Sequence, residues 1–308
     1  MPELKDLYFT SCTGNRNFAK ICLPDSKPRA VVQIVHGIAE HMERYVPFME
    51  FLASNGFVVV GEDHLGHGKS INKLEDRGFF AESDGWNCVL KDIDTLHDLT
   101  VKDYPDLPYV FFGHSMGSFL TRNYLILHPD KYSAAIISGT GHQTKPMVLG
   151  GLAMAEAAVK LYGPRKIGTT LNNVAFGSYN KGFDHPKTAY DWLTREEKTV
   201  EAYIADPLCG FTATVSLFRD MMSGIKFITD PKNIAKMNKE KPIYFMSGAA
   251  DPVGENGKGV ERAYKAFCKA GLMDVRMKLY PEGRHEMLNE LNNKDVYQDI
   301  LNWLNEKI

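Results

Sequence analysis

Apolar residues fall into two patterns along this chain, and the alternation between them predicts its architecture. Residues 30–35 (AVVQIV), 57–61 (FVVVG), 109–112 (YVFF) and 134–138 (AAIIS) are short, almost unbroken apolar runs rich in β-branched or aromatic side chains. Such runs are strands buried on both faces, because a strand with one wet face alternates apolar and polar residues instead. Residues 7–10 and 18–23 read as an antiparallel pair ahead of them. Residues 42–53, 88–102 and 118–127 repeat apolar positions at helical spacing, the first stopped by Asn55-Gly56. Strands alternating with helices wind a parallel sheet by crossovers, an α/β architecture. The rhythm returns near the C-terminus, with strands expected at 242–246 and 275–280 and helices at 259–270 and 296–306.

Residues 142–232 break this rhythm: they hold helical stretches and loop signals but no buried strand. A block of this kind between two sheet halves predicts a helical cap over the strand ends, where open parallel sheets bind their ligands. The expected division is therefore a core of residues 1–141 and 233–308 with a cap of residues 142–232.

The strongest chemical signal sits at the end of one buried run. Gly113-His114-Ser115-Met116-Gly117 follows the strand YVFF and opens a helix. The bare pattern G-x-S-x-G is weak, but the strand–turn–helix setting is that of a nucleophile elbow. The turn is so tight that flanking side chains would clash, and glycines two before and two after the serine relieve it. A helix N-cap serine is the plain alternative. A serine nucleophile needs a base, and the base needs an orienting acid, each in a loop after a late strand. Asp251 follows PIYFMSGAA and His285 follows VRMKLYPEGR, so these are the expected acid and base. Asp274 precedes the last strand and so lies at the wrong end of it. The strand AVVQIV runs into His36-Gly37-Ile38, and the amides of Ile38 and Met116 are the expected oxyanion donors.

Composition narrows the setting. A length of 308 residues suits one α/β domain with an insertion. A formal net charge of −2 and the lack of any Lys/Arg block give no reason to expect nucleic acid as a partner. No apolar run approaches the roughly 20 residues of a membrane-spanning helix, and MPELKDLYFTSC does not read as a secretory signal. The five cysteines are odd in number and scattered, which argues against a disulfide framework or zinc ribbon and makes the cytoplasm the expected compartment. Asp63-His64-Leu65-Gly66-His67-Gly68 reads as a hydrogen-bonded loop rather than a metal cluster, since no second cluster completes a ligand set. Gly66-His67-Gly68-Lys69-Ser70 lacks the first glycine of a phosphate loop.

Taken together, HGIAEHMERY (36–45), EDHLGHGKS (62–70), GHSMG (113–117), SGAADPVG (247–254) and GRHE (283–286) resemble the bacterial lysophospholipase and monoacylglycerol lipase group of α/β-hydrolases. This group is also described as serine aminopeptidase-like. The resemblance extends over the whole chain, including DWLTREEKTVEAYIADPLCGF (191–211). It departs at Ser118, where monoacylglycerol lipases commonly carry a further glycine. The resemblance implies Ser115 as nucleophile, Asp251 as acid, His285 as base and the Ile38 and Met116 amides as oxyanion hole, with no metal or organic cofactor. It implies hydrolysis of small acyl esters of single-chain lipids through an acyl-enzyme. A peptidase or amidase on the same triad, and a non-catalytic binding protein, are the alternatives. In the expected cap, residues 147–163 (MVLGGLAMAEAAVKLYG) form an apolar helix charged only at Glu156 and Lys160. Met147, Leu149, Leu152 and Met154 either pack on the cap or core, or line an acyl channel above Ser115, a role for which adaptable methionines are suited.

Overall fold

The β-branched runs become the centre of one eight-stranded sheet in the computed structural model, which describes residues 1–308. Its strands are β1 (Glu3–Thr10), β2 (Arg16–Leu23), β3 (Ala30–Val35), β4 (Phe57–Glu62), β5 (Tyr109–His114), β6 (Ala134–Ser138), β7 (Ile243–Gly248) and β8 (Val275–Tyr280). Their spatial order is β1-β2-β4-β3-β5-β6-β7-β8. β2 runs antiparallel to both β1 and β4, and every other pairing is parallel. The sheet is the mostly parallel one that the alternating pattern predicts.

The helices in chain order are α1 (Val46–Ser54), α2 (Gly85–Asp103), α3 (Met116–Leu127), α4 (Lys145–Tyr162), α5 (Thr169–Phe176), α6 (Glu197–Ala205), α7 (Val215–Thr229), α8 (Pro231–Ile234), α9 (Lys258–Lys269) and α10 (Asn293–Lys307). Successive residues of a strand point to opposite faces, so an unbroken apolar strand feeds two cores. On β5, Tyr109 and Phe111 join a cluster with α2, α3 and α9, while Val110 and Phe112 join a second cluster with α1 and α10.

Two of the boundaries that differ from the sequence expectation have clear physical causes. β1 begins at Glu3 rather than residue 7 because it pairs with β2 in register from Glu3↔Leu23 to Thr10↔Arg16. It is an exposed edge strand, and its charged residues hide it from an apolar-pattern reading. The helix expected over 42–53 starts as a 3₁₀ turn at Met42–Tyr45, and α1 proper starts at Val46 with Pro47 in its first turn.

Between β6 and β7 the chain adds no strand to the sheet. It forms α4 to α8, of which α7 packs on α2, α3 and α4. The apolar face of α7, including Leu217, Phe218 and Ile225, is continuous with the main core cluster. Thr214 ties the start of α7 to the loop after β4: its hydroxyl donates to Gly78 O at 2.6 Å and accepts the Leu217 N–H at 3.3 Å. Losing such a cap costs about 1–2 kcal/mol. Thr214→Ala should therefore lower the thermal unfolding midpoint measurably, by a few degrees as read by circular dichroism; an unchanged midpoint would show that this anchor is dispensable.

Candidate active site

Ser115 occupies the single-residue turn between β5 and α3. Its backbone lies at φ 54° and ψ −121°, a region that costs a non-glycine residue about 1–3 kcal/mol. Surrounding contacts hold it there: the Ser115 N–H donates to Ser138 O at 3.0 Å, and Ser118 Oγ donates to Ser115 O at 2.6 Å. Gly117 faces the end of β3 so closely that a Cβ would sit 2.0 Å from Val35 O. At Gly113 a Cβ would lie 2.3 Å from Thr121 Oγ1. Any side chain at either position would force α3 off the sheet.

Asp251 and His285 stand in the loops after β7 and β8, and both are buried. His285 Nδ1 lies 3.0 Å from each Asp251 carboxylate oxygen. Asp251 Oδ2 also accepts from Ser247 Oγ at 2.9 Å, and Oδ1 from the Val253 N–H at 2.9 Å. With Nδ1 committed to Asp251, Nε2 is the ring nitrogen left for chemistry. Burial by itself would raise the Asp251 pKa, but the charge and hydrogen bond of His285, with Ser247 and Val253, hold it below the usual carboxylate value. Burial by itself would lower the His285 pKa; Asp251, helped by Glu286 and Glu40, overrides it and raises the imidazole above its ordinary value. The neighbouring His114, whose ring centroid is 4.6 Å from that of His285, is pushed down to about 4 by burial and by His285, and so stays neutral.

Ser115, His285, Gly37 and Ile38 line one cavity of about 220 Å³. The Ile38 N–H donates to no protein acceptor, and the Met116 N–H, as the first of α3, has no acceptor in the helix's own ladder. The far wall is aromatic. Phe176 at the end of α5, with Trp192 and Phe211, lines the same cavity as Ser115 and His285. Trp192 packs on His285 at 5.1 Å and stacks on Phe176 at 6.4 Å with planes 6° apart.

The structure thus brings Ser115, Asp251, His285, Ile38 and Met116 together, but it does not bring the four expected channel residues to them. Met147, Leu149 and Met154 are 57%, 43% and 44% exposed on α4, and Leu152 is buried with Val148 and Ala155 on the opposite, inward face. That inward face meets α7, where a Cβ on Gly151 would sit 2.8 Å from Met222. None of the four lines the cavity. Apolar content singled out the helix without showing which way it faces. The aromatic wall went unread in the sequence, although Trp192 and Phe211 lie in the segment 191–211 that carries the family resemblance. The histidine-rich loop after β4 is a packed support. The His36 ring lies 4.0 Å from His64 and its Nε2 accepts the His64 N–H at 3.0 Å, while Asp63 accepts the amides of Met42 at 2.8 Å and Lys69 at 2.7 Å.

A sheet of this order, with a strained serine after its fifth strand and a hydrogen-bonded Asp–His pair after its last two, defines an α/β-hydrolase. Residues 26–292 match the family model described as serine aminopeptidase, S33, and the chain belongs to that family. It is 29% identical over 307 residues to the monoacylglycerol lipase of Mycolicibacterium smegmatis, an alignment covering 96% of this chain and 95% of that protein. It is 24% identical to the monoglyceride lipase of Mus musculus, over 98% of this chain and 90% of that protein. Among solved structures, it superposes on a thermostable carboxyl esterase from Bacillus coagulans in complex with glycerol with a TM-score of 0.92 at 30% identity, covering 99% and 98% of the two chains.

The Asp–His contact makes a prediction independent of any reaction. In the intact protein, His285 followed by NMR should titrate above 6.5. In Asp251→Asn the countercharge is gone and burial remains, so the midpoint should fall below that value. A midpoint that does not move would show that Asp251 does not set the charge of His285.

Proposed function

We propose that the protein is a serine hydrolase of carboxylic esters, with Ser115 as nucleophile, His285 as base, Asp251 as its orienting acid and the Ile38 and Met116 amides as oxyanion donors. One observation carries this reading: Ser115 and His285 open onto the same cavity while Asp251 holds the far side of the imidazole. Ser115 Oγ attacks the ester carbonyl carbon as His285 Nε2 takes its proton. The carbonyl oxygen, now anionic, is held by the two backbone N–H groups, an interaction typically worth about 3 kcal/mol per donor in the transition state. The C–O bond then breaks, and His285 returns the proton to the leaving alcohol. A water molecule attacks the acyl-enzyme, His285 takes and passes on its proton, and the carboxylic acid leaves with Ser115 restored.

Residues 142–232 act as the cap, and through Phe176, Trp192 and Phe211 they supply an apolar wall for an acyl chain. The names of the relatives support monoacylglycerol-like, single-chain acyl esters as the substrate class. The same wall argues against a peptide substrate. The cavity's carboxylates are Glu40 and Glu286, and both are tied to Arg44, leaving neither to receive a peptide's ammonium group. No helix is long and apolar enough to cross a membrane, and five free cysteines support a reducing compartment, the cytoplasm.

Esters of one alcohol with acetyl to octanoyl chains test this. Each methylene buried against the wall adds up to ~0.8 kcal/mol, so kcat/KM should rise from acetyl to octanoyl, with the matching amides turned over far more slowly. Phe176→Ala should flatten that rise while leaving acetyl turnover near the wild-type rate. A wild-type rate that falls steadily from acetyl upward would contradict the acyl wall, and faster turnover of the amides would contradict the ester reading.

A further inference from the structure

The loop that carries the Ile38 amide and the loop that carries His285 meet at a single guanidinium. Glu40 Oε1 accepts the Gly37 N–H at 2.5 Å and the Tyr45 hydroxyl at 2.8 Å. Its other oxygen accepts from Arg44 Nη1 at 2.7 Å. The same guanidinium donates two parallel hydrogen bonds to Glu286, at 2.8 and 2.6 Å. Gly37 directly precedes Ile38, and Glu286 directly follows His285. Arg44 therefore links the expected oxyanion donor to the expected base through two carboxylates: Glu40, which holds the amide of the residue before Ile38, and Glu286, which follows His285.

Three features argue that this link does more than stabilise the fold. The side chains of Glu40, Glu286 and Arg44 are only 5%, 5% and 12% exposed. Buried charges of this kind are costly to desolvate, and apolar side chains of similar volume generally hold a fold as well. Two carboxylates also share one cation, so the cluster keeps an excess of negative charge on the side of His285 where positive charge develops during proton transfer. Finally, the oxyanion-side loop is strained. Ala39 sits at φ 55°, and its carbonyl accepts both the Tyr203 hydroxyl and the Gly210 N–H at 3.0 Å. The Arg44 guanidinium lies 4.8 Å over that same Tyr203 ring. A strained loop keeps its shape only where its surroundings over-determine it.

We infer that Arg44 is a positioning residue which, through Glu40 and Glu286, fixes the Ile38 amide and the His285 imidazole relative to each other around Ser115. The inference rests on the ester-hydrolase reading above. Arginine is needed because its planar fork reaches both carboxylates at once; a lysine is a single point of charge.

The test is steady-state ester hydrolysis by Arg44→Gln, Arg44→Lys, Glu286→Gln and the double Arg44→Gln/Glu286→Gln variant, with fluorophosphonate labelling of Ser115 alongside. Misaligning one donor costs less than the roughly 10²–10³ in kcat of removing it. Arg44→Gln should thus lower kcat by about 10–100-fold with KM within about threefold, and Arg44→Lys should restore only part of the loss. Residues sharing one network are non-additive, so the double variant should lose no more than the worse single one. In Glu286→Gln, His285 keeps Asp251, Glu40 and neutral His114 beside it but loses one anion. The acid limb of kcat/KM should move down by on the order of one pH unit. Wild-type kcat in Arg44→Gln would overturn the inference. So would a fall in kcat that simply tracks lost thermal stability while the acid limb of Glu286→Gln stays in place. Should Arg44→Gln fail to fold, the position of that acid limb decides alone. A wild-type protein whose Ser115 is not labelled would instead overturn the ester-hydrolase reading, and the positioning role with it.

Discussion

Everything at the site depends on how sharply the chain turns at Ser115. β5 must end, expose one side chain and begin α3 without an intervening loop, which leaves Ser115 at φ 54° and ψ −121°. The turn closes only because Gly113 and Gly117 let α3 press against β5 and against the end of β3. That pressure has a second consequence. With Gly117 in contact with the carbonyls of Val35 and His36, the residues that leave β3 are held beside the serine, and Gly37 and Ile38 line the same cavity. One steric constraint in the middle of the sheet thus places both Ser115 and the backbone amides beside it. The strain is sustained by two apolar cores that clamp the sheet from both faces.

Electrostatics then shifts two equally buried histidines in opposite directions. His285 and His114 lie 4.6 Å apart, yet one is raised and the other pushed down, because Asp251 touches only His285. Asp251 is kept charged in a site that would otherwise neutralise it by three partners: His285, Ser247 Oγ at the end of β7 and the Val253 N–H of its own loop. The backbone that carries His285 is held from the other side as well, where the His285 backbone N–H donates to Trp192 O at 3.3 Å and the Glu286 backbone N–H donates to Leu193 O at 2.7 Å. The segment between β6 and β7 therefore both lines the cavity and is hydrogen-bonded to the loop that holds the imidazole.

Local pattern revealed the parts of the molecule that local physics determines. β3, β4, β5 and β6 were legible because a strand buried on both faces has an unmistakable apolar run, and Ser115 was legible because its turn demands glycines at fixed offsets. Asp251 and His285 followed from chain order and from their places after strands. The first half of β1 was not legible, since its pairing with β2 carries no apolar signature at an exposed edge. The orientation of α4 was hidden because Met147, Leu149 and Met154 are as apolar as the buried Leu152, and only contact with α7 distinguishes them. The link from Arg44 to Glu286 spans 242 residues. Both residues sit inside motifs that carry the family resemblance, but no spacing rule connects them.

The proposed chemistry requires Ser115 to form a covalent bond with an acyl group. The bond can be caught by mixing the protein with an activated butanoyl ester, quenching in acid during the first turnover, and mapping the acylated peptide by mass spectrometry. Up to one butanoyl group per chain should be found, on Ser115. Ester turnover with Ser115 unmodified, or with the acyl group on another residue, would contradict it.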